Sequence, residues 1–353
     1  MESKNMTSVN DIPGAIAPLD KTAMTRAQQR LDSLVKPPGS MGRLETLAVQ
    51  LAGIRGSDRP LHFPQKEIVV MAADHGVWQE GVTPSPQAVT AIQANNILRG
   101  VAGVNVMAKT AGARVTLVDT GIIGGPVAGA LDCHQGQGSA NIAVGPAMNR
   151  AQAEAIILWS ARWVAAQVAD GLDLLGVGEL GMGNTTPAAA VICAITGQPP
   201  EQVVGLGANL PPEQLAHKVA VVQRALDTNQ PDAQDGLGVL AAVGGFDLAA
   251  MSGAILGAAA AGIPVVLDGY LSYASALAAC LIAPAARDYL IPSHTSAERG
   301  SQLALAHLQL HPYLDLSLRL GEGSGAALAF TLVDAACAMH NEMATLAECN
   351  IQL

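Results

Sequence analysis

The sequence predicts an α/β fold, a parallel sheet flanked by helices, and three observations carry the prediction. Half of the 353 residues are apolar, mostly Ala, Val and Leu, and only 3% are aromatic. That mix suits close helix-on-sheet packing better than a β-sandwich or an aromatic stacking surface. Short apolar runs recur between longer helix-like stretches, as strands buried on both faces of a parallel sheet do. Glycines and polar side chains gather after each run, and in open α/β sheets ligands bind outside the carboxyl ends of the strands. With 14% charged residues, a chain of this length buries a large core, so one large domain, or one with a smaller appendage, is expected.

Taken in order, residues 68–72 form the first candidate strand, followed by Asp74-His75-Gly76. Residues 115–118 lead into Asp119-Thr120-Gly121, and residues 172–177 into Gly178-Glu179-Leu180-Gly181. Residues 248–267 are twenty without a charge, and 269–286 form a second long uncharged run. By length alone either could span a bilayer. Gly262-Ile-Pro264 breaks the first run, however, and Asp247 and Asp268 flank it in place of Lys or Arg. A buried helix over 246–261 and a buried strand over 263–267 account for it better, so no membrane partner is expected. Asp268-Gly269 follows that strand, whose apolar run is 265–267, residues 289–291 lead into Ser293-His294-Thr295, and 316–320 into Gly321-Glu322-Gly323. The six loops together predict a single crevice, although N-capping Asp or Ser residues explain any one of them.

Several classes of function are disfavoured. The balance of 19 basic against 29 acidic residues gives a net charge of −10 without a Lys/Arg-rich run, which speaks against nucleic acid. Cys133, Cys193, Cys280, Cys337 and Cys349 show no C-x-x-C spacing and read as reduced residues of a cytoplasmic protein. Residues 1–20 are mixed and polar, so a signal peptide is not indicated. No H-E-x-x-H occurs, and the H-x-x-x-H pair of His307 and His311 is cut off by Pro312 and reads as surface histidines, so no metal site or metal cofactor is expected. A P-loop ending, a dinucleotide fingerprint and a nucleophile elbow are each missing.

Two segments carry candidate chemistry. In Leu320-Gly-Glu-Gly-Ser-Gly-Ala326, Glu322 stands between glycines at what reads as a strand-to-helix turn, ahead of a helix over 324–339. A carboxylate there would meet the unpaired N–H groups of that helix, and Gly321, Gly323 and Gly325 would let a ligand approach the main chain. An ordinary acidic residue in a first helical turn explains the segment equally well. In Gly178-Glu179-Leu-Gly181-Met-Gly183-Asn184-Thr185-Thr186-Pro187, glycines, two hydroxyls and a helix-opening proline resemble an anion-binding nest. Lys218, after Gly205-Leu-Gly207, could supply a cation; its local sequence reads as a solvated lysine.

These segments resemble the nicotinate-nucleotide:dimethylbenzimidazole phosphoribosyltransferases of cobamide biosynthesis. The resemblance also covers Leu34-Val-Lys36-Pro-Pro-Gly39-Ser-Met-Gly42-Arg43-Leu-Glu45, Ala72 to Val77, Glu80 to Gln87, Gly244-Gly245-Phe-Asp247 and Ser293-His294-Thr-Ser296-Ala-Glu298, and so nearly the whole chain. It implies a Rossmann-like large α/β domain over 61–323 and a small helical domain built from both chain ends, 1–60 and 324–353, with a helix over 21–34. It implies attack of a benzimidazole nitrogen on the anomeric carbon of nicotinate mononucleotide, with inversion, and a homodimer without a cofactor. By the family's pattern Glu322 is the general base and Glu179 a second carboxylate that supports charge on the ribose. Ser85 and Gln93 fall in the acceptor-base pocket; without the resemblance they read as a loop hydroxyl and an exposed helix residue. Gly181, Asn184, Thr185, Gly207 and Lys218 fall against the phosphoribosyl and nicotinate parts, with Gly269, Ser296, Gly321 and Gly323 as further contacts. Met41 and residues 134–141 depart from the pattern. The acceptor could be another base or a phenol within the same fold, and a non-catalytic nucleotide-binding protein is the alternative.

Overall fold

The computed structural model describes residues 6–351. The chain enters through helices α1 (Ile12–Ala15), α2 (Lys21–Ser33) and α3 (Arg43–Arg55) before strand β1 (Lys66–Ala73). Helices α4 (Val89–Leu98) and α5 (Gly103–Thr110) lead to β2 (Arg114–Gly121) and the two-residue β3 (Leu131–Asp132). Helix α6 (Arg150–Ala169) then precedes β4 (Leu174–Leu180). A helical run follows: α7 (Thr185–Thr196), α8 (Pro200–Val203), α9 (Leu215–Asn229), α10 (Gly236–Val243) and α11 (Phe246–Ala261). Strand β5 (Val265–Leu267), α12 (Tyr270–Ile282), β6 (Leu290–Pro292), α13 (Ser301–Leu308) and α14 (Ser324–Glu342) complete the described chain.

The strands form one sheet in the order β3-β2-β1-β4-β5-β6, every pair parallel. This is the doubly wound, Rossmann-like order, in which the chain reverses direction between β1 and β4 and opens a crevice at their carboxyl ends. All eight residues of β1 and all seven of β4 are buried, because helices cover both faces. The period-2 alternation of a strand divides them between two apolar clusters. Val69, Met71, Leu175 and Val177 pack with α6, α7, α11 and α12. Ile68, Val70, Leu174 and Val266 pack on the opposite face with Leu31 of α2, Leu51 of α3, Val104 of α5 and Phe330 of α14.

Helix α11 occupies the expected residues, and its first fourteen side chains are buried. Close packing against α6 requires small residues: a Cβ on Gly253 would lie 2.5 Å from the Ile157 carbonyl oxygen. The uncharged run is thus an internal helix, and no helix among the described residues is long and apolar enough to cross a membrane.

Residues 316–320, expected as a strand, are a loop. Ser317 has φ of 54°, which interrupts an extended chain, and Leu316 and Leu320 are exposed. The sixth strand is β3 instead, two exposed residues that carry no apolar run. The expected strand over 263–267 begins at Val265, because Gly262 ends α11 in the left-handed region and Pro264 follows it.

Candidate active site

The crevice at the carboxyl ends of β4 and β5 has a volume of about 460 Å³. Four of the six expected loops reach it, through Gly178–Gly181, Asp268-Gly269, His294 and Gly321-Glu322. The other two do different work. Asp119 orders its own loop by accepting the N–H groups of Gly121, Ile122 and Val127, each at 2.9 Å. Asp74 accepts the N–H of Ile123 at 2.8 Å, and His75 lies behind Gly181. The expectation of six lining loops is corrected accordingly; the missing wall comes from residues 82–93, the end of the β1–α4 connection and the start of α4.

Three successive left-handed residues, Gly321, Glu322 and Gly323, with φ of 87°, 64° and 89°, form the turn before α14. The turn lies flat on β4, where a Cβ on Gly178 would approach the Glu322 carbonyl within 2.4 Å. From this platform the Glu322 side chain, 5% exposed, points into the crevice. Gln93 Nε2 donates to its Oε1 at 2.6 Å, and the Val104 N–H, in the first turn of α5, donates to its Oε2 at 3.3 Å. Gln93 is itself oriented by Asn96 Nδ2, which donates to its Oε1 at 3.1 Å. Its reading as an exposed helix residue is therefore corrected.

The N–H groups of α14 are not offered to Glu322. Asp268, at the end of β5, accepts those of Gly323, Gly325 and Ala326 at 3.0, 2.7 and 3.3 Å. A carboxylate from a neighbouring strand thus caps the helix, as the macrodipole favours. Burial raises the pKa of Asp268 even against His294 and these three donors.

Glu179, the last but one residue of β4, is 7% exposed and accepts a hydrogen bond from Asn184 Nδ2. Burial, followed by the nearby Asp247 carboxylate, pushes its pKa up to about 8 against the Asn184 hydrogen bond, with Asp268 and Glu322 adding to the rise. Gly321 gives it room: a Cβ there would fall 2.1 Å from Glu179 Oε1.

Lys218 is not solvated, contrary to its local reading. It is 1% exposed on α9, and its Nζ donates to Thr185 Oγ1 at 2.8 Å. A Cβ on Gly207 would sit 3.0 Å from that Nζ, so lysine, threonine and glycine meet in one corner. Burial lowers the Lys218 pKa to about 8, with Glu298 pulling the other way. A buried ammonium beside a helix N-terminus is a waiting partner for an anion.

Ser85, Gln93, Glu179, Gly181, Asn184, Thr185, Gly207, Gly269, Ser296, Gly321 and Glu322 all line the crevice. Lys218 stands behind Thr185, and Gly323 lies under the turn against Ile68. The crevice also holds His294, Asp268 and the exposed Arg319, which sequence reasoning did not put forward. The first two stood in loops already noted; Arg319 was hidden in the run misread as a strand. Among the described residues no group of three or more His, Cys, Asp or Glu side chains is arranged to hold a metal ion.

Fold and site together define a transferase that works on a phosphoribosyl group: a family model described as phosphoribosyltransferase matches residues 16–351. Curated relatives named nicotinate-nucleotide:dimethylbenzimidazole phosphoribosyltransferase are similar along their length. Those from Yersinia enterocolitica and Photorhabdus laumondii are 60% and 59% identical, over 99% of each chain. The relative from Salmonella agona is 57% identical over 98% of this chain and 96% of its own. Two solved structures from Thermus thermophilus, one described by that enzyme name and one as CobT, are each 41% identical, with TM-scores of 0.89 and 0.90. They cover 95% and 94% of this chain and 100% and 99% of their own. The chain belongs to the nicotinate-nucleotide:dimethylbenzimidazole phosphoribosyltransferase family.

Proposed function

We propose that the chain transfers the ribose 5-phosphate of nicotinate mononucleotide to 5,6-dimethylbenzimidazole, giving α-ribazole 5′-phosphate and nicotinate for the lower ligand of cobamides. The observation that carries the reading is Glu322, aimed into the crevice with both carboxylate oxygens held by N–H donors. One nitrogen of the acceptor attacks the anomeric carbon while the bond to nicotinate breaks with its electron pair. The pyridinium leaves as a neutral pyridine, so the departure needs no acid. The acceptor's other ring nitrogen loses its proton, and Glu322 takes it.

In this reading Ser85 and Gln93 line the acceptor side, and Glu179, once ionised, faces the charge that grows on the ribose. Lys218, Thr185 and Gly207 receive the phosphate, with Gly181, Asn184, Gly269 and Ser296 along the ribose and nicotinate. No metal or cofactor enters the scheme. Residues 1–60 and 324–353 form a small helical unit beside the α/β domain of 61–323, supported by the mutual packing of α2, α3 and α14; residues 1–5, 352 and 353 of that unit lie outside the described residues. The protein acts as a cytoplasmic homodimer; its five free thiols suit a reducing compartment.

The deciding experiment follows nicotinate release from nicotinate mononucleotide with 5,6-dimethylbenzimidazole, adenine or no base present. Release dependent on dimethylbenzimidazole is expected, with α-ribazole 5′-phosphate as the second product. Release with adenine alone would change the acceptor, and no release with either base would overturn the reading.

A further inference from the structure

Two motifs, Asp74-His75-Gly76 and Gly244-Gly245-Phe246-Asp247, take no part in this chemistry, yet they meet directly behind Glu179. His75 follows β1 and Asp247 lies in the first turn of α11; their side chains are 1% and 0% exposed. His75 Nε2 donates to Asp247 Oδ2 at 3.2 Å, and its Nδ1 faces Ser139 Oγ at 3.4 Å. The second Asp247 oxygen accepts the N–H of Leu248 at 2.8 Å. Asn184 connects this pair to the crevice. Its Nδ2 donates to Asp247 Oδ2 at 3.4 Å and also to Glu179 Oε2. An amide nitrogen carries two hydrogens, so both are committed, one to each carboxylate. The imidazole also lies under the crevice floor, where a Cβ on Gly181 would be 3.0 Å from His75 Nε2.

We infer that His75 and Asp247 are positioning residues for the transfer: their buried ion pair, relayed through the single amide of Asn184, fixes the orientation and charge state of Glu179. The inference rests on the role proposed for Glu179. That carboxylate faces Asp247, Asp268 and Glu322, and His75 faces Asp247 and Asp74. Burial pulls the His75 pKa down, but Asp247 and Asp74 outweigh burial and hold it above its ordinary value. A protonated His75 offsets the charge of Asp247, the neighbour that most opposes ionisation of Glu179. Without that cation Asp247 would act on Glu179 in full, and Glu179 would stay neutral when the ribose carbon becomes cationic.

The test is the pH profile of kcat/KM for nicotinate mononucleotide, measured on the full chain. His75→Gln keeps a donor to Asp247 and loses the cation. Its acid limb is expected to move up by roughly one pH unit, the scale of one unmasked charge beside a buried carboxylate. The KM for the acceptor should stay as it was. Adding Asp247→Asn in the same chain removes the unmasked charge and should return the limb. If His75→Gln does not fold, Asp247→Asn alone carries the test, and its limb should move down. An unmoved limb, or a His75→Gln defect that Asp247→Asn does not repair, would overturn the relay. Glu179→Gln separates the two claims. If it keeps the wild-type rate and limb, the role of Glu179 fails; if it abolishes the limb while His75→Gln leaves it in place, the relay alone fails.

Discussion

Glu322 is aimed by a backbone conformation that L-residues avoid, at φ of 64° between two left-handed glycines. Such a residue costs on the order of 1–3 kcal/mol, and it persists where the surroundings over-determine it. Here the flat contact with Gly178 and the grip of Gln93 and Val104 do so. Glu322→Gln keeps the shape and removes the proposed base, so turnover should fall by about 10² or more while nucleotide binding holds. Rates of nicotinate release and a binding titration check both halves; an active variant would remove Glu322 from the mechanism. Lys218 makes a contrasting case, since its charge is held below its ordinary pKa by burial. Lys218→Met should stabilise the empty protein yet raise the KM for nicotinate mononucleotide. The stability gain should be full below pH about 8 and fade towards pH 10.5, because only the charged lysine suffers from burial. Unfolding curves at several pH values read this directly. Glu322 and Glu179 were legible because glycines bracket an acidic residue at the end of an apolar run. The burial of Lys218 was not, since nothing around it in sequence reports the loop that folds over it.

At the scale of elements, strands buried on both faces announced themselves, and β1, β2, β4, β5 and β6 all stand where apolar runs were found. The run at 316–320 misled because alternating leucines mimic a strand, while one left-handed serine and the exposure of Leu316 and Leu320 decide otherwise. The capping of α14 by Asp268 lay beyond sequence, because donor and acceptor are 55 to 58 residues apart. Helix α11 offers the sharpest test of packing. Gly253→Val would force side-chain atoms into the Ile157 carbonyl of α6, and overpacking of this kind typically costs about 1–3 kcal/mol. Denaturant unfolding should register that loss, and an unchanged midpoint would show that α6 and α11 can separate without penalty.

For the molecule as a whole, charge inside the crevice shapes stability against pH. Glu179 has its pKa raised from 4.5 to about 8 in the folded chain, so over that window the folded state binds the extra proton. Stability of the empty protein should therefore fall as pH rises from about 4.5 through about 8. His75, also raised, acts in the same sense, contributing stability below its unfolded pKa that is lost as pH passes the folded one. Glu179→Gln should flatten the decline, and urea midpoints across pH 5 to 8 would show it. An equally steep decline in the variant would assign the slope to other groups.

Glu322 lies 229 residues after Gln93 and 218 after Val104, the two groups that hold it. A ribosome therefore delivers Gln93, Val104 and the corner of Thr185 and Lys218 long before Glu322, the proposed base. Until the turn at 321–323 has emerged, a nascent chain can complete much of its sheet and still lack the proposed base. If Glu322 is the base, activity in a translation reaction would report only chains made past residue 323.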